Sequence, residues 1–342
     1  MKKSPLVSIL SLSLLTGCHF SYLLKGGYYQ AKILARQMPL EQAKSLPQLS
    51  EKERKKIELT AEVMDFAKND LGLNTKNNYT TYSQLDGPYV TYAVSAAKAY
   101  RLEPHLWYFP IVGDVPYKGF FVEADAKSES ENLKNSGLDT YVRGVSAYST
   151  LGWFKDPLLS SMLKYDEPDL VNTLIHETIH ANLFIKSSAD FNERLATFLG
   201  NIGTEMFYEK KLGSGNAIFI SIQEEQKDSK IFSTFITQEI KDLKAWYLGA
   251  PLDPELKSKR LKEIQARFLK DVKPQLKTKS FSNFADQELN NAKILAYGTY
   301  LADLEDFQNA FNKMGRDFFK FMEFCKSLAN SKHPEEDVKK VL

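Results

Sequence analysis

Two of the five histidines in this 342-residue chain stand four apart around a glutamate, in the run His176-Glu177-Thr178-Ile179-His180. The flanking segment, Pro168 to Ile185, repeats apolar residues at helical spacing, with Leu170, Leu174, Thr178 and Ala181 near one face. Positions i and i+4 of a helix lie one turn apart on the same side, so the two imidazoles project together at a separation one zinc ion can bridge. His176 and His180 are therefore the candidate ligands. Glu177 points beside the pair, where its carboxylate can take a proton from zinc-activated water and hand it to a leaving amine. With this histidine and glutamate content, an accidental H-E-x-x-H is expected in roughly one such chain in 200. A catalytic zinc also needs a third protein ligand and one open position, which the fold has to supply.

Only His333 follows His180, in a polar C-terminal tail where solvent exposure is the simpler expectation, so carboxylates are the place to look. Glu193 lies thirteen residues past His180, far enough for one helix to end, turn and give way to another that faces it. Its rival reading is local. Ser188 or Asp190 can cap the second helix, and Glu193 stands three after Asp190, the spacing of a capping box.

The N-terminus carries a second constraint. "MKKSPLVSILSLSLLTGC" joins two lysines, a short apolar run from Leu6 to Leu15 and a small-residue exit before Cys18. The run is too short to span a bilayer and resembles a bacterial lipoprotein signal, with residues 1–17 removed and Cys18 acylated. Lipid on Cys18 would hold the chain to a bilayer, and with His19 rather than aspartate next, the outer membrane facing the periplasm is the expected address. Loss of Lys2 and Lys3 leaves 43 basic residues against 43 acidic ones, a balance that gives no reason to expect nucleic acid as partner. Cys325 then has no free partner for a disulfide, so stability has to come from a core, to which 22 Phe and 17 Tyr contribute.

Along the chain, residues 18–75 read as helices divided by Pro39 and Pro47. From Tyr79 the texture becomes Tyr, Val, Thr and Phe with Gly and Pro at turns, which is strand and hairpin composition. A helix over "EADAKSESENLKNSG" ends at Gly137, "DTYVRGVSAYSTLG" returns to strand, and the histidine helix follows. The expected class is α+β: a catalytic core over 76–210 with a small sheet and a helix pair, and a helical region over 211–342 packed on it, broken at "GAPLDP" and "VKPQ".

A substrate peptide can add as a strand to a sheet edge, and residues 142–150, "VRGVSAYST", have the composition for it, with Gly144 permitting close backbone approach. A developing oxyanion needs a donor, for which Tyr148 and Tyr117 are candidates. His105 fits a structural role better, and Arg143 and Lys118 are cations that could meet a carboxylate terminus.

"HETIHANLFIKSSADFNERLAT" resembles the metal-binding segment of a bacterial family labelled putative aminopeptidases, predicted lipoproteins that carry H-E-x-x-H and then F-N-E-x-x-A-T. The blocks "YTTYSQLDGPYVTYAVSA", "WYFPIVGDVPYKGFF", "GLDTYVRGVSAYSTLGWFKDPLLSSML" and "LNNAKILAYGTY" resemble that family too. In the wider glutamate-zincin class, an Asn-Glu-x-x-Ala element supplies the third ligand. The resemblance thus implies a zincin-like core, Glu193 as ligand with Asn192 before it, and Ala196 as the small residue that lets two helices approach. The chain departs from that class in its short spacer between His180 and Glu193 and in lacking a Gly-x-Met-Glu-Asn element for a free peptide amine. The expected protein is a lipid-anchored zinc metallopeptidase with one Zn2+ per chain, acting on peptides as an aminopeptidase does. Two other readings are a non-catalytic envelope lipoprotein that binds peptide or protein in the same groove, and a zinc amidase acting on cell-wall peptides.

Overall fold

The computed structural model describes residues 18–249, 251–301 and 303–341; the expected signal segment 1–17 lies outside the described residues. Helix α1 (Cys18–Ala35) starts at the cysteine expected to bear lipid. Strand β1 (Met38–Pro39) and the one-turn helix α2 (Leu40–Ala43) follow at Pro39. Helix α3 (Glu51–Asn69) begins with a capping box, in which Ser50 Oγ accepts from the Glu53 N–H and the Glu53 carboxylate accepts from the Ser50 N–H at 2.8 Å. Its buried stripe of Ile57, Thr60, Val63 and Ala67 recurs every three or four residues, the spacing that presents one face to a neighbouring helix.

The strands are short, in keeping with the frequent Gly and Pro between them. β2 (Thr81–Ser83) pairs antiparallel with β1 and parallel with β8 (Leu158–Leu159). β4 (Trp107–Phe109) and β5 (Gly113–Val115) form a hairpin. The sheet that matters for the site has β3 (Thr91–Lys98) at its centre, with β6 (Tyr117–Phe120) and β7 (Leu138–Val145) antiparallel on its two sides. In its register Ser95 lies opposite both Tyr117 and Tyr141, and Ala93 opposite both Gly119 and Arg143. Residues directly opposite share a face and alternate residues change face. Tyr117 and Arg143 therefore project from one side, while Val94, Lys118, Phe120 and Val142 project from the other. That second face is covered by α4 (Glu123–Asn135), with Val94, Phe120 and Ala126 at the centre of a small core. The α4 helix stops before Gly137, whose φ of +82° is one a glycine adopts without strain.

The strand expected through residues 142–150 ends at Val145. Beyond it the backbone is diverted from the ladder: the Ser146 carbonyl accepts from the Ser161 hydroxyl, and the buried Asp156 carboxylate accepts from the Thr150 N–H at 3.0 Å and the Thr150 hydroxyl at 2.6 Å. Residues 146–156 are thus a loop folded around Asp156. Gly144 is needed for a different approach from the one expected, since a Cβ there would lie 2.4 Å from the Tyr89 ring.

Helices α5 (Glu167–Asn182) and α6 (Ala189–Leu212) pack as a pair, with α3 also against α5. The remaining chain is helical: α7 (Ala217–Gly249), α8 (Pro254–Arg267) running into a π-helical turn at Phe268–Val272, α9 (Asn291–Tyr300), α10 (Glu305–Lys313), α11 (Phe318–Ser327) and α12 (Pro334–Lys339). Breaks fall at the two predicted Pro-containing stretches, 249–254 and 272–275, and further breaks without proline, at 301–304 and 314–317, divide the helices beyond what was expected. Two aromatic cores hold this region. Phe232 of α7, Phe268 of the turn after α8 and Phe284 of a turn before α9 pack together, whereas Phe307, Phe311 and Phe321 close on Phe198 of α6. The architecture is mixed α/β, mostly helix with small sheets. Among the described residues, no helix is long and apolar enough to cross a membrane.

Candidate metal centre

Helix α5 places the motif. Pro168 occupies its first turn, where a missing N–H costs nothing, and Glu167 and Asp169 complement the helix dipole there. Leu170, Leu174 and Ile175 are fully buried, which turns Asn172, Thr173, His176, Glu177 and His180 toward a cleft of about 570 Å³. The helix ends on Asn182, whose side-chain amide donates to the Asn74 carbonyl at 2.9 Å and accepts from the Asn74 N–H at 3.0 Å. The reversal into α6 is clamped by Asn192, whose amide exchanges hydrogen bonds of 2.9 and 2.8 Å with the backbone N–H and carbonyl of Ile185. Asn192 thus sets the loop, and Glu193 follows it on the α6 face turned to α5. On that face Ala196 and Gly200 let the backbones come close. A Cβ on Gly200 would stand 3.5 Å from His176 Cβ.

The three expected ligands meet. His176 Nε2 and His180 Nε2 are 3.1 Å apart, and Glu193 Oε2 lies 3.5 and 3.6 Å from them. A tetrahedral zinc with bonds of about 2.0–2.1 Å has ligand-to-ligand edges of about 3.3 Å, and the observed edges of 3.1, 3.5 and 3.6 Å bracket it. Two imidazole nitrogens and a carboxylate oxygen converge in a largely buried place and present three electron-pair donors to one point, so the donor set fits a metal ion. Among the described residues this is the one such cluster. The capping-box reading of Glu193 has no counterpart, because neither Ser188 nor another side chain caps α6. One feature departs from a finished ligand set: His180 Nδ1 is buried without a hydrogen-bond partner among the described residues, where a metal-bound histidine usually donates to an oxygen.

The two glutamates are driven apart electrostatically. For Glu193, burial alone would raise the carboxyl, but the rings of His180 and His176 overcome it and hold it well below the usual carboxylate range. For Glu177 burial wins, and the Glu193 and Asp156 carboxylates add to it against the opposing pull of His176 and the Ser149 backbone, so it is pushed up to about 7. The Tyr79 hydroxyl, buried and without a partner among the described residues, is close enough to feel the charges of Glu177 and Asp156.

The other expected residues separate clearly. Tyr117 donates to Glu193 Oε1 at 3.5 Å, and burial pushes its hydroxyl well up, which keeps it a donor at neutral pH. Tyr148 lines the cleft, but its hydroxyl is given to Gln30 of α1. Lys118 faces the opposite side of the sheet, paired with Glu129 at 2.9 Å. His105 stacks edge-on to Trp107 at 4.6 Å, away from the cleft, and His333 is exposed ahead of α12. Arg143 does reach the cleft. Tyr300, at the end of α9, was not foreseen: its ring lies 6.5 Å from that of Tyr117 and under the Arg143 guanidinium. Its block "LNNAKILAYGTY" resembled the family, yet no spacing rule ties a tyrosine so far along the chain to this site.

Fold and cleft together define a mixed α/β protein with a candidate metal centre at the floor of a ligand-sized pocket. The chain belongs to the family described as "Putative aminopeptidase", whose model matches residues 21–341, and that name points to peptidase activity. No curated protein and no solved structure matches the chain.

Proposed function

We propose that this chain is a zinc-dependent peptidase of zincin-like build, with His176, His180 and Glu193 as metal ligands and Glu177 as the proton carrier. The observation that supports it most is the convergence of those three donor atoms beside a buried glutamate whose carboxyl sits near 7. A zinc ion held there would supply the Lewis acidity that acidifies water and polarises a carbonyl. Glu177 then does the proton work: burial raises its carboxyl above the ordinary range, so that it can accept a proton from the attacking water and return it to the leaving amine. Tyr117, rather than Tyr148, stands beside the ligand set: its protonated hydroxyl, which donates over a long 3.5 Å to Glu193 Oε1, would turn from that oxygen to donate to the oxyanion, whereas the Tyr148 hydroxyl is held by Gln30. β7 is an edge strand whose Arg143–Val145 end borders the cleft, and an extended peptide would add beside that end; farther back the Thr140 carbonyl is taken by the Asn290 amide at 2.9 Å.

Chelation of the purified protein is expected to abolish peptide hydrolysis, and stoichiometric zinc to restore it. Hydrolysis that persists in metal-free protein would contradict the assignment. The lipid anchor at Cys18 belongs to the same proposal on sequence grounds. The wild-type chain should incorporate labelled fatty acid and a Cys18→Ala chain should not, and equal labelling of the two would remove that part.

A further inference from the structure

The charged groups around the cleft form a lopsided set. Its two carboxylates, Glu177 and Glu193, are both committed in the reading above, and no other Asp or Glu borders it among the described residues. A peptide ammonium terminus therefore finds no spare anion there. The cleft does hold one permanent cation, Arg143, which its place opposite Ala93 turns to the same face as Tyr117. The guanidinium carbon lies 4.4 Å from the centre of the Tyr300 ring, and the side chain is only half-buried, toward the cleft. It forms no ion pair among the described residues; Glu193 acts on it from longer range. A guanidinium over a ring, with one donor toward the Tyr300 hydroxyl and partly withdrawn from water, keeps its other donors available, and the partner that suits them geometrically is a carboxylate.

We propose that Arg143 anchors a carboxylate of the substrate, so that the cleft selects short peptides bearing that group. The inference rests on reading the cleft as a peptidase site, and it deepens that reading by naming what is recognised. A C-terminal carboxylate would fix peptide length, because Tyr117 and Tyr300 wall the cleft on the Arg143 side. A glutamate or aspartate side chain would fix sequence instead. Amino-terminal cleavage of a short peptide held by its far end is compatible with either.

The test uses the full chain carrying Glu177→Gln, loaded with zinc, so that binding is read without turnover. Three neutral-sequence tetrapeptides are titrated by calorimetry: a free acid, its C-terminal amide, and an amide with one internal glutamate. At least one carboxylate-bearing peptide is expected to bind about 10- to 100-fold tighter than the neutral amide, the range for a charge-assisted pair. Preference for the free acid identifies the terminus, and preference for the internal glutamate identifies a side chain. Adding Arg143→Gln should bring that ratio to near unity with zinc content unchanged, while Arg143→Lys, which keeps charge but loses the fork, should fall between. Equal binding of all three peptides, or a preference that survives Arg143→Gln, would overturn the proposal. Wild-type hydrolysis is followed in parallel. Carboxylate-dependent binding with no cleavage would sink the peptidase reading and leave the anchor standing.

Discussion

A Glu177→Gln chain should retain zinc near one per molecule and lose peptide hydrolysis by about 10²- to 10⁴-fold, the usual worth of a positioned acid–base group. Glutamine keeps the shape and polarity of the side chain but cannot carry a proton. Folding should not suffer. In the metal-free chain, burial holds the Glu177 carboxyl at about 7, above its ordinary 4.5, so the ionised form is disfavoured in the folded state. That penalty is absent below the unfolded pKa and grows as pH rises toward 7, so the neutral variant should be the more stable apoprotein at pH 8, by a few kcal/mol at most. Loss of turnover would then be separable from loss of structure by thermal unfolding. The same group sets a pH profile. Because the base must be ionised, wild-type kcat/KM should rise with pH through its titration, on a limb shifted below 7 by a neighbouring dication. Measured turnover in the variant close to wild type would remove Glu177 from the proton path.

The second large effect belongs to Glu193. Glu193→Ala should lose both zinc and hydrolysis. Zinc sites bind with about 10–16 kcal/mol, so one of three protein ligands is worth about 3–5 kcal/mol, or about 10²- to 10⁴-fold in affinity. The contrast with the first variant carries the argument: one glutamate is needed for chemistry alone, the other for the metal and hence for chemistry. Zinc content unchanged in the Glu193 variant, read by elemental analysis after dialysis, would assign Glu193 to structure instead. Its environment makes that outcome distinguishable from unfolding, since Asn192 and Arg194 on either side secure α6 independently. Asn192 holds the Ile185 backbone, and Arg194 reaches the Asp303 carbonyl at 2.7 Å and the Asp306 carboxylate.

What the sequence made legible and what it hid follow from the range of the interactions concerned. The histidine helix could be read because its apolar period, Pro168 and the i, i+4 pair are all local. The end of α4 at Gly137 was legible for the same reason. Glu193 stood between two local readings, and only the facing of α5 and α6, which depends on Ala196 and Gly200, separates them. The strand expected through residue 150 failed because one buried aspartate, Asp156, organises the loop from outside the segment being read. Tyr117 and Tyr148 were equivalent in sequence. They differ because strand alternation turns Tyr117 toward Glu193, while α1 brings Gln30 to Tyr148. The grouping of Tyr117, Arg143 and Tyr300 was beyond any local pattern, since it needs the β6–β3–β7 register and the placement of α9 against the sheet.

The central claim is that one divalent ion is held by two turns of α5 and one carboxylate of α6. A crystal of the zinc-loaded chain, measured on both sides of the zinc absorption edge, tests it directly. The account predicts a single anomalous peak bonded to His176, His180 and Glu193 at about 2.0–2.2 Å, with Glu177 alongside and outside the ligand set. A peak elsewhere, or those three side chains free of metal under saturating zinc, would contradict it.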